Sequence, residues 1–435
     1  MKPISVVAPL LLALSIVCLA QTDPPPAQAS AVVPLSVDDA VAEALQANPE
    51  IGAAVRRLSL AQPKTSTARS LDDPMLMVRD WDTPLRQPWD LNQAQTMFSL
   101  QQTFLSKEKR DLRAKVVGDD VEVETSDLES LRQQVSAQVR KVCADLMRNA
   151  DEIRLLARQG ALLKEAHAGV LAQYSTGKVP QSDVLRAQMA LTRLSERLIE
   201  LDEDRDNARA QLNALMGRRP DEAVEIAGSY ATPAQLPSMD ELERLAIEHR
   251  PELASLRKLI AKSQDESHAT RLAMKPDFTA ALGYMIMPTG SHARNAYMAE
   301  LTMNLPWLNR DRHLGEAKQA DAATAVAQAE LDARASAVFL EVRQAQVGIL
   351  AAEKRLKLYR DTLLPQAEAA FKASTATYQN NRGEFGALIE SQNLLLDIQS
   401  ACYKASSDTD AGLAQLERAI GTPLTAASGT EGTNQ

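Results

Sequence analysis

Beyond its first twenty residues the chain has no apolar run as long as the roughly 18 to 20 residues a membrane-spanning helix needs. Helical insertion in a bilayer is thereby excluded, and strands are left as the only way across. Cysteine is scarce: Cys18 sits in the N-terminal apolar stretch, and only Cys143 and Cys402 follow it. On the hairpin reading developed below, these two stand about 10 Å apart in height, beyond the usual limit of about 7 Å between disulfide Cα atoms, so free thiols are expected. Histidine is scarce too, and His167, His249, His268, His292 and His313 never stand at metal-ligand spacing. With no zinc motif and no glycine-rich loop after a strand, neither an enzyme nor a cofactor or metal site is expected. Basic residues are outnumbered, giving a net charge of −9, which argues against nucleic acid as a partner.

What is present begins with a leader. Met1 and Lys2 precede an apolar run from Ile4 to Ala20, after which the chain turns polar and proline-rich. Residues 1–20 read as a secretory signal, with cleavage at Cys18-Leu19-Ala20 or at Ala27-Gln28-Ala29. Lipidation of Cys18 fits poorly, because Val17 stands where such signals carry a small residue.

The rest of the chain contains itself twice. Tyr174, Gln188, Gln211, Leu212 and Gly217 reappear about 200 positions later as Tyr378, Gln392, Gln415, Leu416 and Gly421, far beyond the period of a solenoid. Upstream the register drifts slightly, and Asn48-Pro49-Glu50-Ile51 meets Arg250-Pro251-Glu252-Leu253. The expected units are a first repeat at 35–220, a linker at 221–238, a second repeat at 239–424 and a flexible tail at 425–435. Residues 21–34 form a proline-rich segment before them.

Within each repeat one long stretch, about 107–172 and about 311–375, lacks proline until Pro365 and spaces its apolar residues by three and four. Leu128, Leu131, Val135, Val139, Val142 and Leu146 form one seam. Val338, Val342, Ala345, Ile349, Ala352, Leu356, Tyr359 and Leu363 form the other. This is coiled-coil spacing, in helices on the order of 100 Å long. Each long helix meets a tip, 174–180 or 378–384, and a returning helix follows, about 181–216 or 385–420. Gly177 suits a left-handed turn and Asn381 takes its place in the second tip. A shorter helix precedes each long one, about 37–68 and 239–274, kinked at Asn48-Pro49 and Arg250-Pro251.

Between the short and long helices the period falls to two. Phe278, Ala280, Leu282, Tyr284 and Ile286 alternate with smaller residues, as do Tyr297, Ala299, Leu301, Met303 and Leu305. Phe98, Leu100 and Phe104 alternate with Ser99, Gln101 and Thr103. Strands are expected at about 74–81, 96–104, 277–287 and 296–306, with one face apolar, as in a transmembrane barrel. Four strands cannot close a barrel, and open edges are costly in lipid, so other subunits must complete it. Three chains would give twelve strands, although periodicity alone demands only an oligomer.

Trp81, Trp89, Tyr284 and Tyr297 near the loop ends, with Phe104 and Trp307 near the opposite ends, read as interface aromatics. Met285, Met287, Met298 and Met303 invite a soft-metal reading, but packing of the wall is the preferred one. Repeated tips suit docking by another helical hairpin, which singles out Tyr174, Gly177, Lys178, Tyr378, Asn381, Arg382 and Gly383. Glu390, close to the second tip, would form an acidic ring in a symmetric assembly. Arg186 occupies the matching place in the first copy and is a candidate partner across neighbouring helices.

These residues, in this order and duplicated, resemble the TolC outer-membrane efflux family from Leu35 to about Leu424. The likeness rests on Ala44-Leu45 with Asn48-Pro49-Glu50-Ile51, on Tyr174-Ser175-Thr176-Gly177 followed by Asp183 to Gln188, on the repeat of that pattern at Tyr378 to Gln392, and on Gly217 and Gly421. The resemblance implies a mainly helical homotrimer with a small β part, its twelve-stranded outer-membrane barrel continued by a helical barrel through the periplasm. It implies a passive exit duct for small toxic compounds or metal ions, joined to a periplasmic adaptor and an inner-membrane pump in a Gram-negative cell. In the family, acids after the second tip narrow the periplasmic entrance; Glu390 matches one such position, while Ala387 stands where a second is often found. Lys107, Lys109 and Arg110 resemble a basic run of the metal-efflux branch, without the glycine that usually precedes it. The duct of a type I protein secretion system has the same architecture, and a soluble periplasmic coiled-coil scaffold is the rival of another class.

Overall fold

A computed structural model describes residues 34–81, 95–228, 235–287, 295–380 and 383–424. The expected signal segment, Trp89, His292, Asn381, Arg382 and the expected tail lie outside the described residues. Ser36 opens α1 (Val37–Ala47), its hydroxyl accepting from the Asp39 amide. Asn48 separates α1 from α2 (Pro49–Arg69): its side-chain oxygen accepts from the amides of Glu50 and Ile51, and Pro49 needs no donor at a first helical position. In the second repeat α5 (Met239–His249) and α6 (Pro251–Leu272) part at Arg250, again before a proline, but the Arg250 side chain does not cap the new helix. What the sequence suggests as kinks are therefore complete breaks.

The returning helices lock onto these breaks. At Gly217, past the end of α4 (Gln181–Leu215), φ is 70°, and an added Cβ would collide with the carbonyl of Ala47. At Gly421, past the end of α9 (Phe385–Ile420), φ is 80° and the collision would be with His249 and Arg250. Only glycine offers both the left-handed backbone and the space. Asn48 also donates from Nδ2 to the Leu215 carbonyl (2.9 Å), and Arg250 donates from Nη1 to the Ala419 carbonyl (3.1 Å). One core cluster therefore joins α1, α2 and α4 to the long helix α3 (Lys107–Ser175). Its counterpart joins α5, α6 and α9 to α7 (Arg310–Leu358).

The long seams are buried as their spacing predicts, with Val135, Val139 and Val142 facing one core and Val338, Val342 and Ile349 the other. The second long helix is nevertheless interrupted. A π turn at Tyr359–Leu363 separates α7 from α8 (Leu364–Gln379). Val135, Val139, Val142 and Leu146 match Val338, Val342, Ala345 and Ile349 in one register, whereas Tyr174 matches Tyr378 in a register one residue longer. The extra residue falls between Ile349 and Tyr378, and the wide turn absorbs it just where Pro365 lacks an amide to continue the ladder.

The four strands are β1 (Met75–Trp81), β2 (Gln95–Phe104), β3 (Phe278–Ile286) and β4 (Ala296–Met303). They form one antiparallel sheet in chain order, so β2 of the first repeat pairs with β3 of the second. The last strand stops at Met303 rather than near 306, since Pro306 starts a 3-10 turn through Asn309. Part of the expected linker is also packed: Leu35 pairs with Ile226, Val224 joins the first core, and Asn213 donates to the Glu222 carbonyl.

Candidate functional site

Register decides which side chains share a face of the sheet. Leu76, Leu100, Leu282 and Ala299 stand in one row across all four strands, and Val78, Phe98, Tyr284 and Tyr297 in another. These rows alternate with rows of the opposite face, such as Met77, Ser99, Gly283 and Met298. On the first face large apolar groups lie open, with Leu282 at 70% and Tyr297 at 88% of full exposure. On the second, Met97, Ser99 and Ala281 are buried, and the hydroxyls of Thr103 and Thr279 hydrogen-bond at 3.0 Å. One side of the sheet thus suits hydrocarbon and the other is smaller and more polar, as expected from the alternation.

The aromatics divide accordingly. Tyr284 and Tyr297 form a cross-strand pair, 5.2 Å between centroids, near the loop end of the apolar face. Phe104 and Phe278 pair at the other end, and Trp307 lies half exposed in the following 3-10 turn. Trp81 does not join them. Strand parity puts it on the polar face, where the Arg79 guanidinium sits 5.4 Å from its ring, so its assignment to the lipid interface is corrected. The methionines divide as well: Met303 stands on the apolar face, while Met285 and Met298 stand on the other with Met77 and Met97.

At the far end of the long helices the two tips differ. Gly177 (φ 72°) ends α3 in a paired cap: the amide of Lys178 donates to the Gln173 carbonyl and that of Gly177 to the Tyr174 carbonyl, both at 2.9 Å. Tyr174, Gly177 and Lys178 are all exposed. Tyr378 instead packs against Phe385 (5.4 Å between centroids) in a small core with Val170, Ala187 and Leu388, joining the two hairpins. Its hydroxyl is buried with no hydrogen-bond partner among the described residues, and burial, with the charge of Asp183, pushes its pKa up. Tyr378 is thus a packing residue, whereas Tyr174 is presented to solvent. Gly383 lies close beneath Thr377 and Tyr378, where a Cβ would crowd both.

Arg186 and Glu390 line one groove of about 700 Å³ between α4 and α9. No ion pair joins them among the described residues; the Arg186 guanidinium lies over Gly386, whose missing side chain makes the space. Two turns along, Arg193 extends the basic wall and Asp397 the acidic one. Sequence reasoning passed over both, although their seven-residue steps from Arg186 and Glu390 are a helical signal. It also passed over Phe385, whose role depends on the neighbouring hairpin. Among the described residues no cluster of histidine, cysteine and carboxylates could hold a metal ion, and no helix is long and apolar enough to cross a membrane.

The match to known proteins follows this geometry. Residues 242–422 match the family model described as outer membrane efflux protein. Over 384 residues the chain is 21% identical to the cobalt-zinc-cadmium resistance protein CzcC of Cupriavidus metallidurans, covering 87% of this chain and 89% of that protein. The solved structure of the outer membrane protein VceC of Vibrio cholerae is similar, with a TM-score of 0.75 at 17% identity over 89% of this chain and 96% of its own. So is that of CusC, with a TM-score of 0.76 at 12% identity over 90% and 93%. The MtrE outer membrane channel of Neisseria gonorrhoeae gives a TM-score of 0.73 at 13% identity over 89% of each chain. The second repeat thus carries the sequence signature of the outer membrane efflux protein family, and both repeats share the fold of these solved outer-membrane proteins.

Proposed function

We propose that the protein is the outer-membrane exit duct of a tripartite efflux system, a passive homotrimer that conducts metal ions or small toxic compounds. The observation that carries this reading is the sheet. Among the described residues its outer strands β1 and β4 have one free edge each, its apolar face is open, and no helix is long and apolar enough to cross a bilayer. Unpaired edges in hydrocarbon cost several kilocalories per group, and chains pairing β4 to β1 around an axis satisfy them, three doing so with twelve strands. The long helices then continue as a periplasmic barrel. Similarity to a cobalt-zinc-cadmium resistance protein favours metal ions among the possible cargoes.

In this reading the exposed tip from Tyr174 to Lys178, with the second tip around Tyr378, Asn381, Arg382 and Gly383, meets a periplasmic adaptor, which couples to an inner-membrane pump. Glu390 faces the narrow entrance, with Arg186 on the adjacent helix. Tyr284, Tyr297, Phe104 and Trp307 sit at the lipid boundaries. Energy comes from the pump, since the duct has no chemistry of its own. A deletion strain challenged with a panel of metals and drugs tests the reading. Hypersensitivity to one class, restored by the intact gene, is expected; normal resistance with loss of a secreted protein would instead identify a type I secretion duct.

A further inference from the structure

Six methionines fall within the four strands, against thirteen in the whole chain, and four of them form a continuous series. Met77 on β1, Met97 on β2, Met285 on β3 and Met298 on β4 all belong to the face opposite the apolar one. Met97 and Met285 are direct partners in the ladder. Met77 is the diagonal neighbour of Met97, because their cross-strand partners are Ser99 and Arg79. Met298 is the diagonal neighbour of Met285 in the same way, its own partner being Gly283. Directly opposed Cβ atoms lie about 4.5–5.5 Å apart and diagonal ones about 7–8 Å, distances that unbranched thioether arms with three rotatable bonds span easily.

On this face Met97 is buried, while Met77, Met285 and Met298 are partly exposed beside it. Ser99 and Gly283 stand between Met77 and Met298 in the ladder and supply almost no bulk. Among the described residues no helix packs across the sheet, so these side chains serve no helix–sheet core. The Met77 sulfur already accepts a hydrogen bond from Arg79 Nη2 at 3.2 Å, so a lone pair of that sulfur is turned towards a cation on this face.

We infer that this methionine belt is a binding site for a soft monovalent cation, Cu(I) or Ag(I), held by two or three thioether sulfurs centred on Met97 and Met285. Neutral thioethers are weak ligands for Zn(II) and Co(II), but suit soft d10 monovalent ions. No proton or electron is exchanged on binding. That the belt faces a conduit rests on the proposed function; that the four thioethers share one chain's sheet does not. In a ring of three chains the belt would be repeated around the lumen, so an ion could pass between equivalent sites.

The test uses detergent-purified full-length protein carrying Cys143→Ala and Cys402→Ser, so that these thiols do not contribute, titrated with silver nitrate in chloride-free buffer. The parent is expected to bind at least about one Ag⁺ per chain, with X-ray absorption showing sulfur neighbours only. Replacing all four methionines by leucine, which keeps their volume, is expected to weaken binding by at least about tenfold. Zinc titrations should be unchanged. Arg79→Gln, which frees the Met77 sulfur, should tighten silver binding. Equal silver titrations of parent and leucine variant would overturn the inference. Should the fourfold variant not fold, Met97→Leu and Met285→Leu made singly decide it by the same comparison. The oligomeric state, recorded on the same samples, separates the two readings. A trimer without silver binding sinks the belt alone, and a water-soluble monomer that binds silver sinks the duct alone.

Discussion

Asn48 and Arg250 fill matching breaks between helices, and each sends one donor into the last turn of its returning helix. The arginine is almost wholly buried and is held by Glu252 and Glu341, both at 2.6 Å, while Arg334 donates to Glu252 from α7 at 2.7 Å. Burial pushes the Glu252 carboxyl up, but hydrogen bonds from Arg250 and Arg334, with their charges, outweigh it and hold its pKa at about 2. A carboxyl whose folded pKa is depressed contributes stability that is fully present above its ordinary value of 4.5 and is lost as pH falls towards about 2. Glu252→Gln should therefore lower the denaturant midpoint at neutral pH and flatten its decline across that acid window. A variant whose midpoint falls as steeply as the parent's would show that other carboxylates set the acid response. The glycines give a second residue-scale prediction. Gly177→Ala meets nothing within 4 Å and should cost only the left-handed backbone penalty, about 1–2 kcal/mol. Gly421→Ala adds a collision with the His249 carbonyl and should lower the thermal midpoint clearly further.

At the scale of elements, the sheet and the interrupted second helix show how far periodicity reaches. Alternation in β2, β3 and β4 placed Phe98, Leu282 and Tyr297 on one face, and the register bears this out. It was mute for β1, where Met75, Leu76, Met77 and Val78 are apolar in succession, and Trp81 was consequently assigned to the wrong side. Leu282 stands at the middle of β3 on the exposed apolar face. Leu282→Arg should cost about 2–4 kcal/mol if that face lies at the bilayer midplane. The measurement is the yield of heat-resistant oligomer in outer-membrane fractions. Gln101→Arg, on the opposite face, is the control expected to assemble normally. Equal yields from the two variants would remove the lipid assignment. The π turn is likewise legible in hindsight, because the repeat register lengthens by one residue between Ile349 and Tyr378. Where that residue is accommodated depends on Pro365 and on the continuous packing on either side.

For the whole molecule, the two hairpins meet at their tips through Phe385 and Tyr378, while Glu390 and Asp397 face Arg186 and Arg193 across a groove. Internal duplication would make the first and second copies equal; the observed tips are not. In the proposed duct both tips meet the adaptor, the first through exposed Tyr174, while Tyr378 of the second also ties the two hairpins together. If three copies surround one entrance, Glu390 and Asp397 lend it negative charge that Arg186 and Arg193 across the groove partly offset. Glu390→Lys should shift the reversal potential of single channels in planar bilayers towards anions and change their conductance. Unaltered values would place Glu390 away from the conducting path.

The returning helices, the approximate strand positions and the internal repeat followed from the sequence alone, because each depends on local spacing of apolar, proline and glycine residues, whereas the full breaks at Asn48 and Arg250 and the π turn did not. The ends of α9 at Phe385 and Ile420 agree with that reading to the residue. Tertiary structure alone decided the joining of β2 to β3, the side taken by Trp81, the series of methionines across four strands and the unequal packing of the two tyrosines. These depend on which distant segments lie side by side and in what register. A period of two or 3.6 residues fixes the faces of an element but not its neighbour.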